Sequence, residues 1–385
     1  MYTSCKLEVI MKMGQLLNTT KCFVLITIAS VFSLLGLFLH GKRYQQMHRT
    51  FDTRSTVQQF RQIPTVTYSS AASTVYEYPD NYSQYFKADL SREVTPLNFK
   101  TLIDRPGFCD KNSTFMMVII LTMHSHLELR NGIRTTWGAA ARTGRWAGKS
   151  LSQSVQYLFL LGTNIHSQWN KKVEAEAKIH EDILMFDYRE SYNNLTYKVL
   201  TGLQWLQKNC VDIKYVMKID EDTFIHLPRI LKKLSSPEWN QSICGFYAES
   251  EAVMTTTKNA NDFSVYPFNH YPPHVKGNIY FMPFSIASRL VNVSRHFVFN
   301  IIEDVHITGI LARVLGLRNK YKGFTRGEYS RSVPASACDV ATGIRVASTH
   351  TSPAFYSEIW NKINNPDACQ SVRQQIQKYF SGTVG

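Results

Sequence analysis

The chain has 385 residues, room for two or three domains, and its 22 Phe and 20 Tyr are typical of a folded protein with a large core. Its formal net charge of +14 at pH 7 makes nucleic acid, an anionic ligand and an anionic membrane surface candidate partners. The lysines and arginines are scattered and no nucleic-acid recognition motif is present, so the sequence argues against a nucleic-acid-binding protein.

An uncharged apolar segment runs from Phe23 to Leu39, behind a polar tail of residues 1–21. As a helix it would be roughly 26 Å long, enough to cross a thin bilayer of the secretory pathway. A cleaved signal peptide is the alternative, but His40–Arg43 is a poor cleavage site. We therefore predict an uncleaved transmembrane signal-anchor over residues 22–40.

The flanking charges leave the orientation of this anchor open, because basic residues lie on both of its sides. The N-glycosylation sequons favour a lumenal C-terminal part, since one precedes the segment and five follow it. The five predicted acceptors are Asn81, Asn112, Asn194, Asn240 and Asn292.

Residues 41–108 are rich in Ser, Thr, Gln, Tyr and Arg without a sustained hydrophobic period, so we predict a stem there and a globular domain over residues 109–385. Apolar strands then alternate with amphipathic helices. Strands are predicted at 115–122, 155–161, 183–186, 215–219 and 277–282, and helices at 128–137, 168–180, 194–207, 228–234 and 285–291. This alternation predicts an α/β fold with a mostly parallel sheet and helices on both faces.

Five cysteines follow the predicted anchor, at 109, 210, 244, 338 and 369. In an oxidising lumen they are consistent with two disulfides and one odd thiol, whose pairing the sequence does not determine. No close cysteine pair has the spacing of a zinc site.

The strand Tyr215–Ile219 runs into Asp220, Glu221 and Asp222. In an extended chain the two aspartates point the same way and Glu221 points elsewhere. Ligands bind at the carboxyl ends of strands in α/β sheets, and hard divalent cations take oxygen ligands alongside water and phosphate. The motif thus predicts a metal carrying a diphosphate, although Asp-X-Asp is also common in solvated loops and helix caps.

Two later segments are further candidates. A loop rich in proline and aromatic residues, 266–274, is suited to lining a sugar site. Glu303 and Asp304 enter a helix, where the simplest role for Asp304 is an N-cap.

Seven sequence blocks between residues 112 and 360 occur in the order found in one enzyme group: Arg130–Trp137, Phe159–Gly162, Glu181–Asp187, Ser191–Lys198, Lys218–Phe224, Tyr271–Gly277 and Glu303–Gly309. Together they resemble the β-1,3-glycosyltransferases known as the family 31 galactosyltransferases. The resemblance implies a single-pass type II Golgi membrane protein whose lumenal domain has the Rossmann-like GT-A fold. It also implies inverting transfer of a sugar from a UDP-sugar to the 3-hydroxyl of an acceptor glycan on a glycoprotein or glycolipid.

The resemblance also implies roles for individual residues. Asp222 would be the principal Mn²⁺ ligand, with Asp220 positioning the metal and the ribose and His350 completing the metal site. Asp304 would be the general base, while the cation stabilises the departing UDP. The remaining implied site residues are Arg130, Arg134, Asp220 and Glu221 for UDP-sugar binding, and Tyr271, Gly277, Asn278 and Glu303 for the acceptor and sugar pocket.

Several of these residues could have a structural role instead. Arg130 and Arg134 could brace the sheet edge, His350 could be a surface or packing histidine, and Trp137 is expected in the core.

The chain also departs from the family pattern: Glu221 stands where Asp is usual, and Asn278 and Ile279 replace smaller residues. The donor therefore stays open between UDP-galactose and a UDP-N-acetylhexosamine, as do the acceptor and homo-oligomerisation. A catalytically inactive Golgi binding or assembly partner is the alternative function. The retained Asp220, Asp222 and Asp304 favour the enzyme.

Overall fold

The computed structural model describes residues 82–109, 114–210, 212–254, 264–317, 320–329 and 335–370. The predicted tail, anchor and most of the stem lie outside the described residues, as do the sequons at Asn81 and Asn112. Within the described ranges, no helix combines the length and apolar character needed to cross a membrane.

The strands are β1 Thr101–Ile103, β2 Met116–Leu121, β3 Arg145–Trp146, β4 Lys149–Ser150, β5 Val155–Thr163, β6 Ile183–Arg189, β7 Tyr215–Asp220, β8 Phe224–Ile225, β9 Ile243–Ala248, β10 Glu251–Ala252, β11 His270–Tyr271, β12 His274–Pro283, β13 Tyr321–Gly323 and β14 Ala347–Ser348.

The α-helices are α1 Tyr82–Tyr85, α2 Leu127–Thr135, α3 Trp137–Thr143, α4 Ser167–His180, α5 Leu195–Asn209, α6 Leu227–Leu234, α7 Phe284–Ser294, α8 Ala312–Val314, α9 Ala337–Ala341 and α10 Pro353–Asn364. A π-helical segment covers Val305–Leu311, and short 3₁₀ turns cover Tyr192–Asn194, Pro237–Trp239 and Pro366–Cys369.

Eight strands form the central sheet in the order β1-β6-β5-β2-β7-β12-β9-β13. The strands β6, β5, β2 and β7 are parallel to one another, whereas β12 runs antiparallel between β7 and β9. The predicted mostly parallel α/β sheet is confirmed. Two strands of the sheet are antiparallel to the rest: β12, and β1, which pairs with β6.

Hydrophobic cores lie on both faces of this sheet, as the apolar β2 strand predicts. Met117 and Ile119 of β2 join the cluster that contains Val199 and Leu203 of α5, while alternate β2 residues join the cluster around Trp137 of α3. Trp137 is fully buried, so its predicted core position is confirmed.

The parallel pairing of β2 with β7 places Leu121 opposite Asp220, so the loops after both strands leave from one edge of the sheet. A small antiparallel pair, β8 with β14, brings residues 347–351 beside the turn that follows β7. These two pairings position the candidate site.

The predicted stem boundary at residue 108 is wrong, because the globular domain begins earlier. β1 joins the central sheet through Thr101 opposite Phe186, and Tyr82 and Leu97 are each only 2% exposed. The error has a physical cause: a three-residue edge strand and isolated aromatic residues give no hydrophobic period, yet they pack onto a core that other segments build.

Two disulfides form in the described part of the chain, Cys109–Cys210 and Cys338–Cys369, and Cys244 there is a buried free thiol. The predicted two disulfides with one odd thiol are confirmed, and the structure supplies the pairing. Cys109–Cys210 ties the segment after β1 to the end of α5.

Candidate active site

A cavity of about 430 Å³ lies at the carboxyl end of β7, between β12 and the π-helical segment. Seven residues that the sequence assigned to the site line it: Asp220, Tyr271, Gly277, Asn278, Glu303, Asp304 and His350. Two larger cavities, about 660 and about 940 Å³, contain none of the predicted catalytic, metal or donor residues. The smaller cavity is therefore the candidate active site.

Asp222 and His350 are neighbours, since Asp222 Oδ2 lies 3.4 Å from His350 Nδ1. The backbone holds the two segments together through a 2.8 Å hydrogen bond from Thr351 N to Asp222 O. Burial and the negative charge of Asp220 raise the pKa of Asp222, and His350 partly offsets this effect. A carboxylate with a raised pKa beside a second carboxylate and an imidazole is an arrangement that a cation would stabilise.

A divalent cation bound at this site would have few protein ligands. No cluster of three or more His, Cys, Asp or Glu side chains arranged to hold a metal occurs among the described residues. Asp222 Oδ1 is nonetheless buried and finds no hydrogen-bond partner there. A free buried oxygen next to Asp220 and His350 fits a cation that takes its remaining ligands from phosphate and water, as hard cations do.

Asp304 lies at the start of the π-helical segment and is only half-buried. Its Oδ1 accepts a 2.9 Å hydrogen bond from Val305 N, so the expected capping contact is present. Its Oδ2 accepts a second hydrogen bond, 2.8 Å long, from Gly277 N on β12. These two bonds fix the carboxylate while it lines the cavity, and each oxygen keeps a second lone pair for a substrate proton.

Glu303 lies behind Asp304 and is buried. Its Oε1 accepts a 2.6 Å hydrogen bond from Tyr280 OH, and its Oε2 lies 3.4 Å from Lys218 Nζ. Burial raises the pKa of Glu303 to about 7 even though the Lys218 charge opposes that rise. Glu303 is therefore easier to protonate than an ordinary glutamate.

Glu221 points away from the cavity, as the alternation of an extended strand predicts. Its Oε2 accepts a 3.0 Å hydrogen bond from Met123 N, and its Oε1 is hydrogen-bonded to His126 Nδ1. Burial raises the pKa of this carboxyl. Glu221 thus anchors the loop after β2.

Arg130 and Arg134 are engaged in buried ion pairs. Arg130 donates Nε and Nη2 to the two carboxylate oxygens of Glu176, at 2.7 Å each, and its other donors reach Thr122, Met123 and His124. Arg134 makes a two-point contact of 2.8 and 2.7 Å with Asp182. All five N–H groups of Arg130 have protein acceptors, which favours the bracing role over phosphate contact.

The three described sequons differ in their settings. Asn240 and Asn292 are exposed, the latter on α7, while Asn194 is partly buried and donates a 2.8 Å hydrogen bond to Arg189 O.

Three residues to which the sequence pattern assigns no role also line the cavity: Lys218, Lys276 and Glu251. A signal for Lys218 was present, because a lysine inside an otherwise apolar buried strand needs a partner. Lys276 is ion-paired with Glu251 across the cavity wall, and nothing in the local sequence pattern indicated that pair.

Comparison with known proteins gives a consistent answer. A family model described as galactosyltransferase matches residues 128–322. Beta-1,3-galactosyltransferase 1 of Homo sapiens is 31% identical over 281 residues, which cover 71% of this chain and 82% of that protein. N-acetyllactosaminide beta-1,3-N-acetylglucosaminyltransferase 2 of Mus musculus is 26% identical over 313 residues, covering 79% of this chain and 75% of that protein.

A weak similarity to a solved structure is found as well. The bifunctional glycosyltransferase WbbM, in its apo form, covers 56% of this chain and 40% of its own, with 11% identity and a TM-score of 0.32.

An α/β sheet with a carboxylate-lined cavity at the end of its central strand, together with these matches, defines a glycosyltransferase. The chain belongs to the galactosyltransferase family. The resemblance to the β-1,3-glycosyltransferase group, inferred from the seven sequence blocks, is confirmed.

Proposed function

We propose that this protein transfers a hexose, galactose or an N-acetylhexosamine, from a UDP-sugar to the 3-hydroxyl of an acceptor glycan, with inversion and dependence on Mn²⁺. One observation carries the proposal: Asp304 faces the same cavity as Asp220 and His350, with its carboxylate fixed by Gly277 N. The names of the relatives, a beta-1,3-galactosyltransferase and a beta-1,3-N-acetylglucosaminyltransferase, support the linkage and leave both sugar classes open.

Asp222 and His350 would be the protein ligands of the cation, with Asp220 positioning it, and the orphaned Oδ1 of Asp222 supports this assignment. When bound, the cation would supply positive charge that stabilises the departing UDP. The low number of protein ligands is consistent with a site that the donor phosphates complete.

Asp304 would accept the proton of the acceptor 3-hydroxyl while that oxygen bonds to the anomeric carbon from the face opposite UDP. The leaving bond, from the anomeric carbon to the phosphate oxygen, breaks as the new bond forms. The lone pairs left free on Asp304 by Gly277 and Val305 suit this role. Gly277, Asn278 and Tyr271, which also line the cavity, would contact the two sugars.

We further propose that the protein is a single-pass type II membrane protein of the Golgi whose catalytic domain is lumenal. The uncharged segment Phe23–Leu39, the sequons behind it and the two disulfides support this location. A non-catalytic Golgi assembly partner is the second candidate, because Asn278 lines the cavity where the family pattern has a smaller residue.

UDP release by the full-length protein in detergent separates the two functions. UDP-galactose, UDP-N-acetylglucosamine and UDP-N-acetylgalactosamine are offered in turn with mixed glycan acceptors, with Mn²⁺ or with a chelator. We expect Mn²⁺-dependent turnover of one donor, abolished by Asp222→Asn and kept by the control Asp339→Asn outside the cavity. Absence of turnover with all three donors, from folded protein that binds UDP, would support the non-catalytic partner.

A further inference from the structure

Lys218 is a buried cation in the middle of a hydrophobic strand. It lies in β7 and is only 3% exposed, while its neighbours Met217 and Ile219 are fully buried and apolar. A lysine is almost never fully buried unless its charge is paired, because removing an ammonium group from water is costly. The partners of Lys218 therefore indicate why it is there.

Three oxygens surround Lys218 Nζ. It lies 2.8 Å from Asp220 Oδ1 and 3.4 Å from Glu303 Oε2, and it donates a hydrogen bond to the carbonyl oxygen of Gly277. The ammonium group is thus held by groups from three elements: β7, β12 and the segment before the π-helix.

Gly277 connects Lys218 with Asp304. The carbonyl of Gly277 accepts from Lys218, and its N–H donates the 2.8 Å hydrogen bond to Asp304 Oδ2. The antiparallel register of β7 with β12, in which Tyr280 lies opposite Lys218, fixes the position of this residue. One continuous chain of contacts therefore joins Asp220, Lys218, Gly277 and Asp304.

We propose that Lys218 is a positioning residue for sugar transfer: it holds the Gly277 backbone so that Asp304 keeps the orientation needed to accept the acceptor proton. The inference rests on the proposed function, in which Asp304 is the base. Without the ammonium group, Asp220 and Glu303 lose the partner that they share, and the Gly277 carbonyl loses its donor. A carbonyl that has lost its donor is free to turn towards another one, and the backbone rotation at Gly277 that this requires would displace the N–H group that holds Asp304.

The test is Lys218→Met in the full-length protein, since Met preserves the unbranched side chain and removes the charge. We expect kcat to fall about 100-fold, because a displacement of about 1 Å at a reacting group has that effect. The donor KM, and the affinity for UDP with Mn²⁺ measured by titration calorimetry, should change by less than about 3-fold, since the proposed metal ligands remain.

The matched control is Lys233→Met, which removes a partly buried ion pair with Glu328 outside the cavity and should leave kcat unchanged. A kcat for Lys218→Met within about 3-fold of the wild type would overturn the inference. So would a parallel loss of kcat and of affinity for UDP with Mn²⁺, because that result indicates general disruption. If Lys218→Met does not fold, Lys218→Gln, which keeps an N–H donor without the charge, is judged by the same limits.

Asp304→Asn, measured in parallel, separates this inference from the proposed function. If Asp304→Asn keeps full activity, the proposed base is wrong. If Asp304→Asn is inactive while Lys218→Met is fully active, only the positioning role of Lys218 is wrong.

Discussion

His350 Nδ1 lies 3.4 Å from Asp222 Oδ2, because the pairing of β14 with β8 and the hydrogen bond from Thr351 N to Asp222 O bring their two segments together. His350 has a φ of +56°, in the left-handed region that histidine, asparagine and aspartate adopt more often than other residues with a side chain. This conformation places the imidazole beside Asp222, the predicted metal ligand.

We expect His350→Gly to raise the Mn²⁺ concentration for half-maximal activity about 10-fold, the usual effect of removing a group that supports a metal site. The free energy of unfolding should change by no more than about 1 kcal/mol, because glycine accepts the positive φ. Mn²⁺ titrations of UDP release and urea unfolding measure the two effects.

His350→Asn is the matched control for this prediction, since asparagine tolerates the left-handed region and supplies an oxygen ligand. It should give an intermediate Mn²⁺ requirement. An unchanged Mn²⁺ requirement for His350→Gly would mean that His350 is a surface histidine.

Glu303 should make the free energy of unfolding depend on pH. Burial raises its pKa from the model-compound value of 4.5 to about 7, so the folded protein binds more protons than the unfolded chain between those values. The favourable contribution of the protonated group is complete below about pH 4.5 and is lost as the pH rises through about 7. Relative to Glu303→Gln, the wild type should therefore lose about 2 kcal/mol of unfolding free energy between about pH 5.5 and about pH 8.

Urea unfolding of both proteins at the two pH values measures this difference. Comparison with Glu303→Gln cancels the histidine titrations that the two proteins share. A difference between wild type and variant that stays constant over this range would show that Glu303 does not titrate there.

Arg130→Lys should destabilise the fold by about 3 kcal/mol, because it breaks a two-point contact with buried Glu176 and leaves carbonyls of the loop after β2 without donors. The exposed Arg145→Lys serves as the control and should cost less than about 0.5 kcal/mol. Urea unfolding compares the two. If stability is unchanged in Arg130→Lys while the donor KM rises sharply, the arginine is a phosphate ligand and not a brace.

Much of the fold follows from local patterns. The apolar strands alternating with amphipathic helices predict the parallel part of the sheet, and the two-residue spacing of Asp220 and Asp222 predicts that Glu221 turns away. The seven ordered blocks identify the family and single out Asp304.

Contacts between segments that are far apart in the sequence could not be predicted from local patterns. The edge strand β1 is too short to show a period, so the domain start was placed too late. The pair Lys276 with Glu251, and the bond from Gly277 to Asp304, exist only once β12 lies against its neighbours. Lys218 was visible as a charge in an apolar strand, but its role depends on partners from two other elements.

The most direct test of the central claim is the structure of the product. The full-length protein is incubated with the donor it turns over, Mn²⁺ and an acceptor glycan, and the new linkage is determined by NMR, with Asp304→Asn assayed in parallel. The account predicts a β linkage to the 3-hydroxyl, and an Asp304→Asn variant that binds UDP with Mn²⁺ but forms product at least about 100-fold more slowly. An α linkage, or an Asp304→Asn variant that works at the wild-type rate, would contradict it.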